Sequence, residues 1–111
     1  MTASVIDTIK SQLITNKCFA DHSDMADARR LSATFRMSFS RNGKFSQPYL
    51  LIKPTREPFG DPPLQAFITH ARRALDMCNT IGWQIPEEYF KLGTNYPIEL
   101  EFLPQIAVSQ Q

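Results

Sequence analysis

The chain has 111 residues, a formal net charge of +1 at pH 7 and two cysteines. Its length suits one domain with a modest core, and its 42% hydrophobic and 21% charged residues are ordinary for a globular protein. The near-zero charge gives no basic field for nucleic acid, and no apolar run is long enough for a membrane span or a secretory signal. We therefore predict one soluble domain over residues 1–111, with frayed ends at 1–3 and 105–111.

The first predicted element is an amphipathic helix over residues 4–15. Its apolar positions recur at helical spacing: Val5, Ile6, Ile9 and Leu13. The next segment, residues 21–30, is predominantly charged, which favours a solvated loop. Because His22 and its neighbouring aspartates have no fixed helical spacing, we predict no metal site there.

Residues 31–52 predict a β-hairpin. Apolar and polar side chains alternate over residues 31–40, and this period of two places one face of the strand on a core. The pair Asn42-Gly43 favours a type I′ turn. The returning strand, residues 45–52, contains Pro48, which cannot donate a ladder hydrogen bond and therefore predicts an edge strand.

A second helix is predicted after a turn-rich connector at residues 53–60. Asp61 has the character of an N-cap and Pro62 that of a first helical residue. The apolar positions recur at steps of three and four: Leu64, Phe67, Ile68, Ala71, Leu75 and Cys78. Gly82 is the expected terminator, and His70 lies off the centre of the stripe, which favours a flank residue over a ligand or base.

The last part of the chain predicts a lid and a third strand. Residues 83–90 are apolar and aromatic, which is typical of a lid over the end of a core, and residues 96–102 alternate again. The predicted inward side chains are Ile98, Leu100 and Phe102, and the outward ones are Glu99 and Glu101. The element order α-β-β-α-β predicts an α+β fold with a three-stranded antiparallel sheet of order 2-1-3 and helices packed on one face.

Motifs of catalysis are absent from the sequence. It contains no glycine-rich phosphate loop, HExxH, CxxC or GxSxG, and its carboxylates form no evident acid–base pair. We therefore predict a binding protein rather than an enzyme, with no cofactor and no metal. Cys18 and Cys78 suit either two reduced, buried thiols or one disulfide, and their separation does not decide between them.

Five short motifs follow one another along residues 5–104. They are Cys18-Phe19 after the first helix, the turn Arg41-Asn42-Gly43-Lys44-Phe45, the helix end Ala74-Leu75-Asp76-Met77-Cys78, then Ile85-Pro86-Glu87-Glu88-Tyr89, and the strand Ile98-Glu99-Leu100-Glu101-Phe102-Leu103-Pro104. In order and spacing they resemble the C-terminal periplasmic domain of the TolA family and, more distantly, that of TonB. The resemblance covers nearly the whole chain.

The resemblance implies a location, a disulfide and partners. Domains of this family lie in the oxidising periplasm with their two matching cysteines bonded, which here implies a Cys18–Cys78 disulfide. An inner-membrane anchor and a stalk, both outside this chain, carry the domain and couple it to TolQ and TolR. The implied partners are the N-terminal segment of TolB and also Pal, in a system that maintains the outer membrane during division. Colicins and filamentous phage coat proteins exploit the same domain.

The mechanism that we expect is strand addition to residues 96–102, because an extended peptide can pair with an exposed sheet edge. The expected contact residues are Tyr96, Ile98, Glu99, Leu100, Glu101 and Phe102, with Tyr89 and Phe90 nearby. The outward glutamates would favour a partner that carries Lys or Arg. An equally good interpretation is that they only keep the edge soluble and unpaired.

Three other hypotheses stay open at this point. The chain could be a TonB-type energy-transducer domain that binds an outer-membrane receptor by strand addition. It could be a small cytoplasmic α+β enzyme or ligand-binding domain that uses Cys78 or His70, which reduced thiols and a pocket at His70 would favour. It could also be a structural tail domain without a partner of its own.

Overall fold

A computed structural model of the chain describes residues 2–19 and 30–104. The elements are α1 (Thr2–Thr15), β1 (Ala33–Met37), β2 (Leu50–Lys53), α2 (Pro62–Ile81), α3 (Glu87–Phe90) and β3 (Ile98–Phe102). The order of the longer elements is the one predicted, and α3 is a single turn within the predicted lid. The hypotheses about His22 and about residues 105–111 fall outside the described ranges. Within those ranges, no helix is both long and apolar enough to cross a membrane.

The three strands form one antiparallel sheet in the order β2-β1-β3, which confirms the predicted topology. β1 pairs with β3 in uninterrupted register from Ala33 opposite Phe102 to Met37 opposite Ile98. The pairing of β1 with β2 is irregular. The β2 strand lies at one edge, as the proline before it predicted.

The hairpin between β1 and β2 is less regular than predicted. Phe39 pairs with Phe45 at an isolated bridge, whereas Arg36 pairs with Leu50. Between these two pairs, four residues of the returning arm (46 to 49) therefore face two residues of the first arm (37 and 38). Pro48 lies in this bulged segment, where its missing N–H interrupts no strand ladder. The returning strand, Leu50–Lys53, is consequently shorter than the predicted range 45–52.

The turn of the hairpin is not the predicted type I′. Gly43 has a φ of 80°, but Asn42 does not share the positive φ that a type I′ turn requires. The side-chain oxygen of Asn42 instead accepts the N–H of Lys44 at 3.0 Å. The carbonyl of Ser40 accepts the N–H of Gly43 at 3.0 Å, and the Gly43 carbonyl accepts the N–H of Trp83 at 2.7 Å, so the tip of the hairpin docks on the segment after α2.

Both long helices pack on the apolar face of the sheet. The largest fully buried side chains are Ile9 and Leu13 of α1, Phe67, Ile68 and Leu75 of α2, Phe35 of β1, Leu100 and Phe102 of β3, and Leu31, Phe39 and Tyr89. Burying a side chain of this kind stabilises a fold by about 1.5–3 kcal/mol. The Cys18–Cys78 disulfide, with a Cα–Cα distance of 5.8 Å, joins the segment after α1 to the end of α2, as the family resemblance implied.

Side chains from distant segments hold both ends of α2. Asp61 is the N-cap, as predicted, and Arg30 donates to both oxygens of the same carboxylate at 2.6 and 2.8 Å. This pairing lowers the pKa of Asp61. At the other end, the last turn contains no basic residue, and the Nζ of Lys44 donates to two of its carbonyls, the nearer being that of Asn79 at 2.7 Å. The cation thereby stabilises the negative end of the helix dipole.

Candidate functional site

The candidate site is the edge of the sheet formed by β3. β1 lies on one side of β3, and within residues 2–19 and 30–104 no strand lies on the other. Ile98, Leu100 and Phe102 are buried, whereas Glu99 and Glu101 are exposed. This alternation confirms the inward and outward directions that the sequence predicted.

Hydrogen bonds at the hairpin tip show which backbone groups of the first arm face β3. The N–H of Ser40 donates to the carbonyl of Lys44, and the N–H of Ser46 donates to the carbonyl of Ser38, both at 2.9 Å. Ser38 and Ser40 therefore direct their backbone groups toward the returning arm. Because successive residues of an extended strand alternate in direction, Phe39 directs its backbone groups toward the side of β3.

The same alternation identifies the groups that face the open edge. The residues of β1 that face β3 are Phe35, Met37 and Ala33, and their partners are Leu100, Ile98 and Phe102. The residues between those partners in β3 point the other way. The backbone N–H and carbonyl of Glu99 and of Glu101 therefore point away from β1 within the plane of the sheet, toward the side on which an incoming strand would pair.

A tyrosine hydroxyl takes the place of the next backbone contact between these strands. Continuing the register from Met37 and Ile98 by two residues places Phe39 opposite Tyr96. The hydroxyl of Tyr89 accepts the N–H of Phe39 at 2.9 Å and donates to the carbonyl of Tyr96 at 2.5 Å. Burial raises the pKa of Tyr89, and the hydrogen bond from Phe39 opposes that rise. The hydroxyl therefore stays protonated as a donor and holds the entry to β3 in place.

Beyond Tyr89 the two chain segments diverge and leave a groove of about 280 Å³. Its lining comprises Phe39, Ser40, Arg41, Phe90, Gly93, Thr94 and Asn95. The guanidinium carbon of Arg41 lies 4.5 Å from the centroid of the Phe90 ring, and Arg41 pairs with Glu87 at 3.1 Å. This cation–π contact covers part of Phe90, one of the predicted contact residues.

The two outward glutamates differ in their electrostatic partners. Glu99 pairs with Arg36 of β1 at 2.9 Å, and both side chains are 47% exposed. Glu101 lies opposite Thr34, and among the described residues no cation lies within ion-pair distance of it. The edge therefore presents one compensated and one uncompensated carboxylate. Sequence reasoning missed Arg36, because the alternation placed it on the outward face but did not give the register that brings it to Glu99.

The structure separates the predicted contact residues into two groups. The five residues of β3 form the edge and Tyr96 lies just before it, while Tyr89 is fully buried. Like the side chains of Ile98, Leu100 and Phe102, the Tyr89 side chain therefore cannot touch a peptide on the surface, although it is among the residues predicted near the contact edge. The reason is its hydroxyl, which is needed between Phe39 and Tyr96.

The enzyme hypothesis depends on Cys78 and His70, which lie outside the β3 edge. Cys78 is bonded to Cys18 in a disulfide, so it offers no thiol nucleophile in this state. His70 lies half-buried on α2 and does not line the groove beside Phe90. Within the described part of the chain, no group of three or more His, Cys, Asp and Glu residues could hold a metal ion.

Comparison with known proteins gives this chain no family. No family model matches it, and neither does any curated protein or solved structure. The geometry of β3 and its neighbours therefore carries the functional interpretation.

Proposed function

We propose that this chain is a TolA-like periplasmic interaction domain that binds the N-terminal segment of TolB by strand addition along β3. The observation that supports this function is the β3 edge, which no strand of residues 2–19 and 30–104 covers and at which Glu99 and Glu101 direct their backbone groups outward. A peptide lying there would continue the sheet, and its main-chain hydrogen bonds would supply affinity. Pal is a second partner in this proposal.

The surrounding scaffold suits such a role. The Cys18–Cys78 disulfide suits an oxidising compartment, and it braces the two helices on the face opposite the glutamate side chains. A rigid sheet whose edge is already extended loses little conformational entropy when a peptide pairs with it. An inner-membrane anchor outside this chain would link the domain to TolQ and TolR, and a colicin or phage coat protein would use the same surface.

The regular register favours β3 over β2 as the acceptor edge. β3 pairs with β1 over five consecutive residues, whereas the β1–β2 register shifts between Thr34 and Phe35. A bulge of this kind increases the local twist and disrupts the row of backbone groups that a peptide would need. The β2 edge is also the shorter one, with four residues.

An amide-shift titration with the N-terminal peptide of TolB from the same organism tests the proposal. We expect the shifts to concentrate in residues 96–103, with small changes elsewhere. A plug segment of a TonB-dependent receptor is the matched comparison, because tighter binding of that peptide would favour the TonB-type hypothesis. Shifts confined to residues 45–53 would move the site to β2. The absence of shifts at millimolar TolB peptide would contradict the assignment and bring forward the enzyme or ligand-binding hypothesis.

A further inference from the structure

A strand that adds to β3 places one of its side chains beside each outward glutamate. Directly opposite residues of paired strands have Cβ atoms roughly 4.5–5.5 Å apart, so their charges interact. The charges on this edge should therefore select which strand pairs there. Glu99 and Glu101 are the two residues concerned, since the intervening Leu100 is buried.

A second copy of this chain fits the edge poorly. In an antiparallel pair centred on Leu100, Glu99 of one copy would face Glu101 of the other. A pair centred on either glutamate would set that glutamate against its own counterpart. A shift of one residue would turn the glutamates toward the apolar face of the other copy. Like charges directly opposite one another disfavour the registers centred on Leu100 or on a glutamate, and the burial of a glutamate disfavours the register shifted by one residue.

Glu99 and Glu101 do not contribute equally to the choice of partner strand. Arg36 already compensates Glu99 from the neighbouring strand at 2.9 Å. Glu101 has Thr34 opposite it, and Thr34 in turn pairs with Lys53 of β2. The backbone of Lys53 therefore lies two strand spacings, roughly 10 Å, from that of Glu101, and no ion pair joins their side chains. A new cation would gain more beside Glu101 than beside Glu99.

We infer that the β3 edge takes an extended segment of a different protein that carries Lys or Arg opposite Glu101 and an uncharged residue opposite Glu99. This inference rests on the proposed strand addition and adds the charge and register of the partner. The backbone groups of β3 form the hydrogen bonds with the partner strand, and the charge of Glu101 selects which strand binds. Arg36 limits the contribution of Glu99.

The test uses two peptides with a palindromic sequence, so that strand direction does not affect the result. One is acetyl-Val-Thr-Val-Lys-Val-Thr-Val-amide, and the other has Glu in place of the central Lys. Dissociation constants are measured from amide shifts for the unmodified domain, for Glu101→Gln and for the double variant Arg36→Gln/Glu99→Gln. The double variant is the matched control, because it removes a complete ion pair and leaves the net charge unchanged.

We expect the unmodified domain to bind the Lys peptide about fivefold more tightly than the Glu peptide, as a cross-strand charge pair would give. The control variant should keep or increase this preference, and Glu101→Gln should abolish it. Equal affinities for the unmodified domain would overturn the inference. It would also be overturned if the control lost its preference as fully as Glu101→Gln, or if neither peptide shifted the β3 amides at millimolar concentration.

The titration with TolB peptide separates this inference from the proposed function. If TolB peptide shifts β3 while the Lys and Glu peptides bind equally, the function stands and the charge rule fails. If the Lys peptide is preferred but TolB peptide does not bind, the charge rule stands and the TolB assignment fails.

Discussion

Phe39 and Tyr96 lie just beyond the paired residues Met37 and Ile98, and the hydroxyl of Tyr89 stands between their backbones. The hydroxyl accepts from one residue at 2.9 Å and donates to the other at 2.5 Å. The last contact between the two strands is thus made by a side chain of α3. It fixes the segment that enters β3, the strand whose open edge is the candidate site.

Replacing Tyr89 with Phe should destabilise the fold by about 1–3 kcal/mol, because a buried N–H and a carbonyl would each lose a partner. Urea unfolding measures this change. Tyr96→Phe is the control, since the Tyr96 hydroxyl makes no hydrogen bond with the described residues, and its effect should stay within about 0.5 kcal/mol. Equal effects for the two variants would contradict the bridging role of Tyr89.

Gly43→Ala should destabilise the docking of the hairpin tip. A Cβ at this position would lie 2.6 Å from the carbonyl oxygen of Trp83, and the φ of 80° is unfavourable for a side chain. We expect a loss of about 1–3 kcal/mol in the free energy of unfolding. Gly60→Ala provides the comparison, because nothing lies within 4 Å of a Cβ there. A small change in the free energy of unfolding at both glycines would show that the hairpin tip accommodates the added Cβ, and it would contradict this prediction.

The disulfide should make a large contribution to stability. Cys18 and Cys78 are 60 residues apart, and the chain-entropy estimate for such a loop is about 4 kcal/mol. Replacing both cysteines with Ala should lower the free energy of unfolding by about this amount, as measured in denaturant without reductant. The same protocol applied to the unmodified domain with reductant should give a similar loss. If neither treatment changed stability, the bond would have no structural role.

Tyr49 should make the stability of the fold fall at alkaline pH. Burial is the largest cause, followed by its hydrogen bond to Asp76, and together they raise the pKa of Tyr49 to about 12. Since the pKa of tyrosine in the unfolded chain is about 10, the folded state binds this proton more tightly. The contribution of the protonated Tyr49 hydroxyl to folding stability is therefore complete below about pH 10. It is lost as the pH rises toward about 12. Unfolding curves between these values should show a shallower decline for Tyr49→Phe. Parallel declines would contradict this assignment.

Local sequence signals were sufficient for the regular parts of the fold. Asp61 and Pro62 predicted the start of α2 because the N-cap contact from Asp61 to the N–H of Leu64 is local, and the strict alternation around Leu100 determined which residues of β3 point inward. The sheet order followed from the short list of topologies that an α-β-β-α-β chain can adopt.

The irregular features depend on contacts that no local pattern contains. The hairpin tip docks on Trp83, which lies about forty positions away in the chain and donates its backbone N–H to the carbonyl of Gly43. The pairing of Arg36 with Glu99 depends on the register of β1 against β3. The bridging role of the Tyr89 hydroxyl was not predicted, because its partners Phe39 and Tyr96 become its neighbours only after folding.

The claim that β3 accepts a strand through its outward backbone groups is tested most directly at Glu99. Glu99→Pro removes an outward N–H and places a ring in the path of the incoming strand, and an edge position tolerates proline because that N–H is not part of the β1–β3 ladder. Glu99→Ala removes the same carboxylate but keeps the N–H.

The measurement is the dissociation constant of TolB peptide for both variants, with unfolding curves to confirm that each is folded. We predict that Glu99→Ala binds within about threefold of the unmodified domain and that Glu99→Pro binds about tenfold more weakly or not at all. Unchanged binding by a folded Glu99→Pro variant would show that this edge is not the acceptor.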